Sequence, residues 1–436
     1  MSGARARAAL ARAMAVARGP TPLALLDQAV VSAASFLAVL AIGRLAGPDE
    51  LGAWALAASI VALAVAGQDA LVSRPYTILR RGSGVADRRL AGAALLTSAA
   101  LSLLVAASLA LAAFALGDAA AGPVLYAVAL VIPLVLMREF ARRHAFASLD
   151  VRRALALDAT ASALFIAATL GLALFGTLTA PLALAGLAAA NAATVVAWLW
   201  SRRRDLVLPR RRRLRSAARF WAYGRWLLLE AGAAQVQGYA ALWLSFALLG
   251  AASAGVYAAS LSIVALANPL LFGFMNILTP RCVAALRSGG SAQLWTQVGR
   301  DTLLVGATLG AFAAGAWLVG PTLLALLYPG PGYAEGPLVL TLLAAGLAIG
   351  GLGVPAVAGL AALGRARLLA VQGVCVAAAT MGAVLCGLWW GGLAGGAAGV
   401  LAGELLQTSV AWIAFRSAAR PRRAGALPGA VPTPHA

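Results

Sequence analysis

The stretch LAGPDELGAWALAASIVALA (Leu45–Ala64) has a second copy 203 residues further on, LLGAASAGVYAASLSIVALA (Leu248–Ala267). Ten of the twenty aligned positions are identical, including Gly47/Gly250, Gly52/Gly255 and the run SIVALA, and Trp54 falls on Tyr257. In a chain this rich in Ala and Leu some identity is free, but a six-residue run with matched glycines exceeds that background. Self-similarity at a fixed offset marks a duplicated architecture.

Around both copies the chain is apolar: 62% hydrophobic, 11% charged, mean hydropathy +0.89. A soluble domain carries about 25% charged residues, so a soluble fold is excluded. Twelve candidate spans are read, at 22–44, 51–73, 91–116, 122–138, 158–178, 180–200, 222–248, 252–278, 301–327, 337–363, 368–389 and 394–416. Each approaches or exceeds the roughly 20 residues that a bilayer core requires. The widest basic segment, 201–219, leaves six spans on either side. An even number per half gives both halves the same orientation, with the repeat axis along the membrane normal. The predicted fold is an all-α polytopic membrane protein of about twelve transmembrane helices, in two pseudo-symmetric parallel six-helix lobes around a central cavity. The expected division is a basic N-terminus (1–21), an N-lobe (22–200), a basic linker (201–221), a C-lobe (222–416) and a disordered Pro-rich tail (417–436). The apolar run after the basic N-terminus exceeds the about 7–15 residues of a signal-peptide core, so it reads as a retained first span.

All 34 basic residues are Arg, and they gather between alternate spans: 74–89, 138–153, 202–219, 281–300, 365–367 and both termini. The other connections carry only Arg44. This is the positive-inside pattern of a multi-pass protein with both ends in the cytoplasm. Topology therefore accounts for the net charge of +20, and nucleic acid is not expected as a partner. The block Arg210–Arg213 lacks interleaved aromatics and reads as an anchor to anionic lipid. Trp198, Trp200, Trp221 and Tyr223 at one interface, and Tyr328, Tyr333, Trp389 and Trp390 at the other, read as interfacial anchors.

Charges inside spans are costly, about 2.5–3.5 kcal/mol at mid-helix, and mark function or a partner. The 203-residue offset that relates the two copies also relates Asp27 to Glu230, each in the first span of its half. They are candidates for ion coupling or charge balance, the alternative being a local structural carboxylate. Arg225 lies five residues before Glu230, about 140° away on a helix and so poorly placed to pair with it. Arg44 either pairs with Asp49 and Glu50 or faces the cavity, where a guanidinium would bind phosphate bidentately. Arg74, beside Pro75, is a similar cation, with Asp69 placed to orient it, and Glu404 adds a carboxylate in the last span. Gln28, Gln235, Gln237, Asn191 and Asn268 read as interhelical hydrogen-bonding groups.

Cys282, Cys375 and Cys386 form no disulfide framework, and His144 (in the basic loop) and His435 have no ligand partners nearby, so no metal or cofactor is expected. P-loop, HExxH and GxSxG patterns are all missing from the sequence. The reading is a secondary-type transporter, not an enzyme, with H+ or Na+ as coupling ion.

The segment Leu25–Tyr76 resembles the start of polysaccharide flippases of the multidrug/oligosaccharidyl-lipid/polysaccharide (MOP) exporter superfamily. The resemblance is carried by Asp27–Gln28, Ser32, Phe36, Arg44, Gly47, Glu50, Gly52, Asp69 and Arg74–Pro75. In the second half it is carried by YGRWLLLE (Tyr223–Glu230), LLGAASAGVYAA (Leu248–Ala259), Asn268–Leu270 and Thr279–Arg281. It implies alternating-access movement of polyprenyl-diphosphate-linked oligosaccharide across a bacterial inner membrane, for surface polysaccharide biosynthesis. Partners would be that glycan, membrane lipids and polysaccharide polymerase machinery. Arg44, Arg74 and Arg225 would then bind diphosphate or acidic sugar, while Asp27, Glu230, Asp69 and Glu404 titrate or balance them. The alternatives are an ion-coupled multidrug exporter of the same superfamily, a peptidoglycan-precursor flippase, and a non-transporting envelope-polysaccharide assembly protein. Peptidoglycan-precursor flippases often carry two further spans, and polymerases a large outer loop; this sequence has neither.

Overall fold

The computed structural model describes residues 20–80, 82, 84–117, 121–202, 206–207 and 213–419. The basic N-terminus up to residue 19, Arg210–Arg212, His435 and the tail from 420 onward lie outside them. The described residues form twelve long helices and no strand. In the N-lobe these are α1 (Pro20–Leu45), α2 (Pro48–Leu79), α3 (Val85–Leu116), α4 (Ala121–Ala147), α5 (Val151–Leu174) and α6 (Ala180–Arg202). The C-lobe begins with α7 (Arg213–Leu249), which starts inside the segment expected to be linker. The helical trace Ala251–Leu327 breaks at Gly289–Gly290 into α8 (251–288) and α9 (291–327). Helix α10 spans Gly336–Ala362, and Ala366–Ala419 breaks at Gly391–Gly392 into α11 (366–390) and α12 (393–419). Gly290 (φ 62°) and Gly392 (φ 58°) adopt the left-handed backbone of these tight turns, which costs a glycine little and other residues more.

The sequence repeat is visible as geometry. Gly47 (φ 92°) and Gly250 (φ 91°) cap α2 and α8 in the same conformation. One turn further in, a methyl group on Gly52 would overlap the Ala251 carbonyl, and one on Gly255 would overlap the Pro48 carbonyl. Pro48 and Ala251 are themselves 203 apart, so the contact is reciprocal. A two-fold pseudo-axis passes between α2 and α8, and the glycines let the two backbones touch there.

Hydrophobic packing then fixes the shape. At the arginine-poor end one core is shared by both lobes, with Ile42, Leu51 and Trp54 packed among Tyr257, Tyr328 and Leu340. At the arginine-rich end the core divides. Tyr76, Phe140 and Trp198 cluster in the N-lobe with Phe220 of α7, while Leu294, Val298 and Phe415 cluster in the C-lobe. The two seams between the lobes also differ. Helix α7 packs along α2, with Gly224 against Ala70 and Leu71. Helix α1 packs on α5 and, toward the arginine-poor end, on α8, but among the described residues it has no substantial packing with 268–288.

Candidate functional site

The charged residues gather at three places. The first is a buried network at the arginine-rich end of the N-lobe. Expected to be a loop, 138–153 is instead helix as far as Ala147, and α5 begins at Val151. Helical spacing therefore sets Glu139 beside Arg142 (3.2 Å) and Arg143 (2.8 Å). Asp158 of α5 is completely buried and accepts from Arg138 and, at 2.5 Å, from Nε of Arg142. Arg142 reaches Asp27 of α1 as well, at 3.1 Å. His144, expected in a loop, is buried in α4, stacked on Tyr76 and edge-on to Trp198.

The network continues into α2 through a local distortion. Asp69–Ser73 is a π-turn, and the Arg74 amide donates to the Asp69 carbonyl five residues back. Pro75 has no amide to give, which removes one α-helical bond at this point. In a regular helix Asp69 and Arg74 would lie about 140° apart; the wider turn brings Arg74 Nε to 2.7 Å from Asp69 Oδ2. Arg143 approaches Asp69 at 3.5 Å. Four carboxylates (Asp27, Asp69, Glu139, Asp158) thus face four arginines (Arg74, Arg138, Arg142, Arg143). Buried charges persist only when compensated in this way, and here they bind α1, α2, α4 and α5 together.

Asp27 and Glu230, expected to be equivalent, are not alike. Asp27 is buried and paired, whereas Glu230 is exposed and has no ion pair among the described residues. Helices α4 and α10 are both 27 residues long and start 215 apart, as do α5 and α11. That register puts Val357 where the N-lobe has Arg142, and Gly373 where it has Asp158. The C-lobe therefore offers Glu230 no cation. Arg225 is exposed beside the Trp226 ring, 5.4 Å from its centroid, and no carboxylate lies within ion-pair distance among the described residues.

The second place is a C-lobe cavity of about 260 Å³, lined by Gln237, Leu271, Met275, Gly350, Glu404 and Gln407. Gly346 and Gly350 of α10 leave room for the Glu404 side chain. Gln237 donates to Gln407 at 3.0 Å, and no cation pairs with Glu404 among the described residues.

The third is the closure at the arginine-poor end. Tyr333 Oη donates to the Gly43 carbonyl at 2.7 Å, and Arg44 Nη1 donates to the Leu326 carbonyl at 2.6 Å. Tyr328 Oη and Ser262 Oγ share a hydrogen bond of 2.8 Å beneath. Of the two readings for Arg44, the pairing with Asp49 or Glu50 is not formed: Glu50 accepts from the Ala180 amide at 2.5 Å, and Arg44 spans the lobes instead. Further in, Trp243 of α7 donates to Ser59 of α2 at 2.7 Å.

Two six-helix lobes share one core at the arginine-poor end and have separate cores at the other, where, among the described residues, α7 alone of the C-lobe packs into the N-lobe core. By structure, the chain is similar to an inward-facing conformation of a multidrug resistance MATE family transporter of the MOP superfamily. That match has a TM-score of 0.70 and 18% identity, over 90% of this chain and 96% of that one. A MOP superfamily transporter from Pyrococcus furiosus, described as having a reverse polarity of binding pocket that suggests a different function, matches with TM-score 0.60 and 15% identity, over 92% and 95%. An outward-facing conformation of a multidrug resistance MATE family transporter matches with TM-score 0.56 and 17% identity, over 92% and 95%. No protein-family model matches the chain, and no curated protein matches it by sequence. The likeness is therefore one of fold: the two-lobed, twelve-helix fold of MOP transporters.

Proposed function

We propose that this protein is a flippase that moves polyprenyl-diphosphate-linked oligosaccharide from the cytoplasmic to the outer leaflet of a bacterial inner membrane. The observation that carries the reading is the asymmetry of the two seams. The α2–α7 seam is filled, while α1 and 268–288 have no substantial packing among the described residues, and Leu26 of α1 and Leu270, Phe272 and Met275 of α8 are exposed apolar side chains. A substrate whose polyprenyl tail stays in the bilayer needs such an unfilled seam, and its diphosphate head needs cations inside. Arg225 is exposed and unpaired among the described residues, and Arg74 is half exposed (52%). Arg44 would meet the head only after the arginine-poor end opens. Asp27 and Asp69 would balance arginines as the lobes move, and Glu230 and Glu404 would take up the coupling H+ or Na+.

A second reading, an ion-coupled multidrug exporter, draws on the uncompensated carboxylate of Glu404 in an apolar cavity, a setting suited to an amphipathic cation. Fold alone does not choose between them. Proteoliposomes holding a fluorescent polyprenyl-diphosphate disaccharide separate the two. Protein-dependent loss of the probe from one leaflet is expected; efflux of a cationic dye with no movement of the saccharide lipid would replace the flippase by the exporter.

A further inference from the structure

A cavity of about 580 Å³ opens at the arginine-rich end of the C-lobe, lined by Arg365, Arg367, Leu368, Val371, Ser417 and Ala418, with Gly364 at its edge. It shares no lining residue with the Glu404 cavity. Gly364 (φ 69°) turns the chain out of α10, and the Leu369 amide donates to the Arg365 carbonyl, so α11 starts with its first amides unbonded within the helix. Arg365 and Arg367 flank this start; both are exposed, and neither has an ion pair among the described residues. Beside and one turn beyond Arg367, Leu368 and Val371 present exposed apolar surface (41% and 55%).

The chemistry is layered. Two guanidinium groups and a helix N-terminus converge on one cavity, and both recognise phosphate. They lie at the arginine-rich ends of the helices, and the exposed apolar side chains of Leu368 and Val371 follow within the next turn of α11. Two cations without carboxylate partners, in a cavity with room for more than one phosphate, match a headgroup that carries two. We propose that this cavity is a binding site for an anionic phospholipid of the arginine-rich leaflet, diphosphatidylglycerol ahead of phosphatidylglycerol. Basic pockets between membrane helices take such headgroups. Arg365 and Arg367 hold the phosphates, and Leu368 and Val371 seat an acyl chain. The site is independent of the substrate, so it stands whether the protein moves lipid-linked saccharide or a drug.

The test is native mass spectrometry of the full-length, detergent-purified protein titrated with diphosphatidylglycerol, phosphatidylglycerol or phosphatidylcholine. Wild type is expected to hold diphosphatidylglycerol at least tenfold more tightly than phosphatidylcholine. R365Q/R367Q should erase most of that preference, whereas R287Q/R300Q, which alters two exposed arginines outside the cavity, should retain it. L368W fills the acyl seat without touching charge and should weaken binding of both anionic lipids, which keeps the test decisive if the double arginine variant misfolds. Full retention of the preference in R365Q/R367Q, or of wild-type affinity for both anionic lipids in L368W if the double variant misfolds, would overturn the proposal. So would equal competition by inorganic phosphate, which would reduce the site to one for a free anion.

Discussion

The hydrogen bond from Tyr333 to the Gly43 carbonyl crosses between the lobes at 2.7 Å, with both residues buried. It exists only while the arginine-poor end is closed, so Tyr333→Phe acts on the equilibrium between closed and open forms. One such bond contributes about 1 kcal/mol net, and 1.4 kcal/mol is about tenfold in an equilibrium constant. The open-to-closed ratio should therefore rise about fivefold, while the rest of the fold is untouched. Phe175 and Trp390 are exposed at the arginine-poor ends of α5 and α11, in different lobes. Spin labels there, after Cys375 and Cys386 are changed to serine, report the separation by double electron–electron resonance; Cys282 is buried and stays. The long-distance population should grow by that factor in Tyr333→Phe, and further when Arg44→Gln removes the second bond. A ratio unchanged to within twofold, with an unchanged melting temperature, would mean that these bonds do not hold the closure.

Three other outcomes follow from the geometry. Asp158→Asn takes from Arg138 and Arg142 their closest counter-charge, leaving them only Asp27 and Glu139, a loss of up to about 3–5 kcal/mol; thermal unfolding in detergent should show a fall in midpoint, and an unchanged midpoint would contradict the network. Gly52→Ala drives a methyl into the Ala251 carbonyl, so α2 and α8 must part, at about 1–3 kcal/mol; Gly67→Ala, 3.7 Å from Leu228, is the tolerated control, and the same spin-label pair should shift in the first variant and not in the second. Arg225→Gln removes a guanidinium with no carboxylate partner among the described residues; a lost charge-assisted bond of about 1.5–3 kcal/mol should raise KM for a diphosphate-linked substrate roughly tenfold or more with kcat maintained, and an unchanged KM would remove Arg225 from the substrate path.

The architecture was legible because its constraints are local or periodic. Apolar runs of membrane length count the helices, and the paired Gly47/Gly52 and Gly250/Gly255 mark where two backbones must touch. The link between Asp69 and Arg74 was also readable, although the π-turn that makes it was not. The charge network was missed because it depends on partners far apart in sequence: Asp27 and Arg142 are 115 residues apart. A signal did exist in the spacing of Glu139, Arg142 and Arg143, which fits one helical face, but a cluster of arginines at a span's end reads equally well as a loop. The equivalence drawn between Asp27 and Glu230 failed for a related reason. Repeat position fixes where a side chain starts, whereas its partners come from α4 and α5, whose counterparts in the C-lobe carry Val357 and Gly373 instead.

Deletion of the gene, followed by mass spectrometry of the polyprenyl-diphosphate-linked saccharides with leaflet-selective labelling, tests the flippase reading most directly. The account predicts that one unpolymerised saccharide unit accumulates on the cytoplasmic leaflet while surface glycan is lost, with both reversed by the wild-type gene. An unchanged lipid-linked pool with intact surface glycan would contradict it.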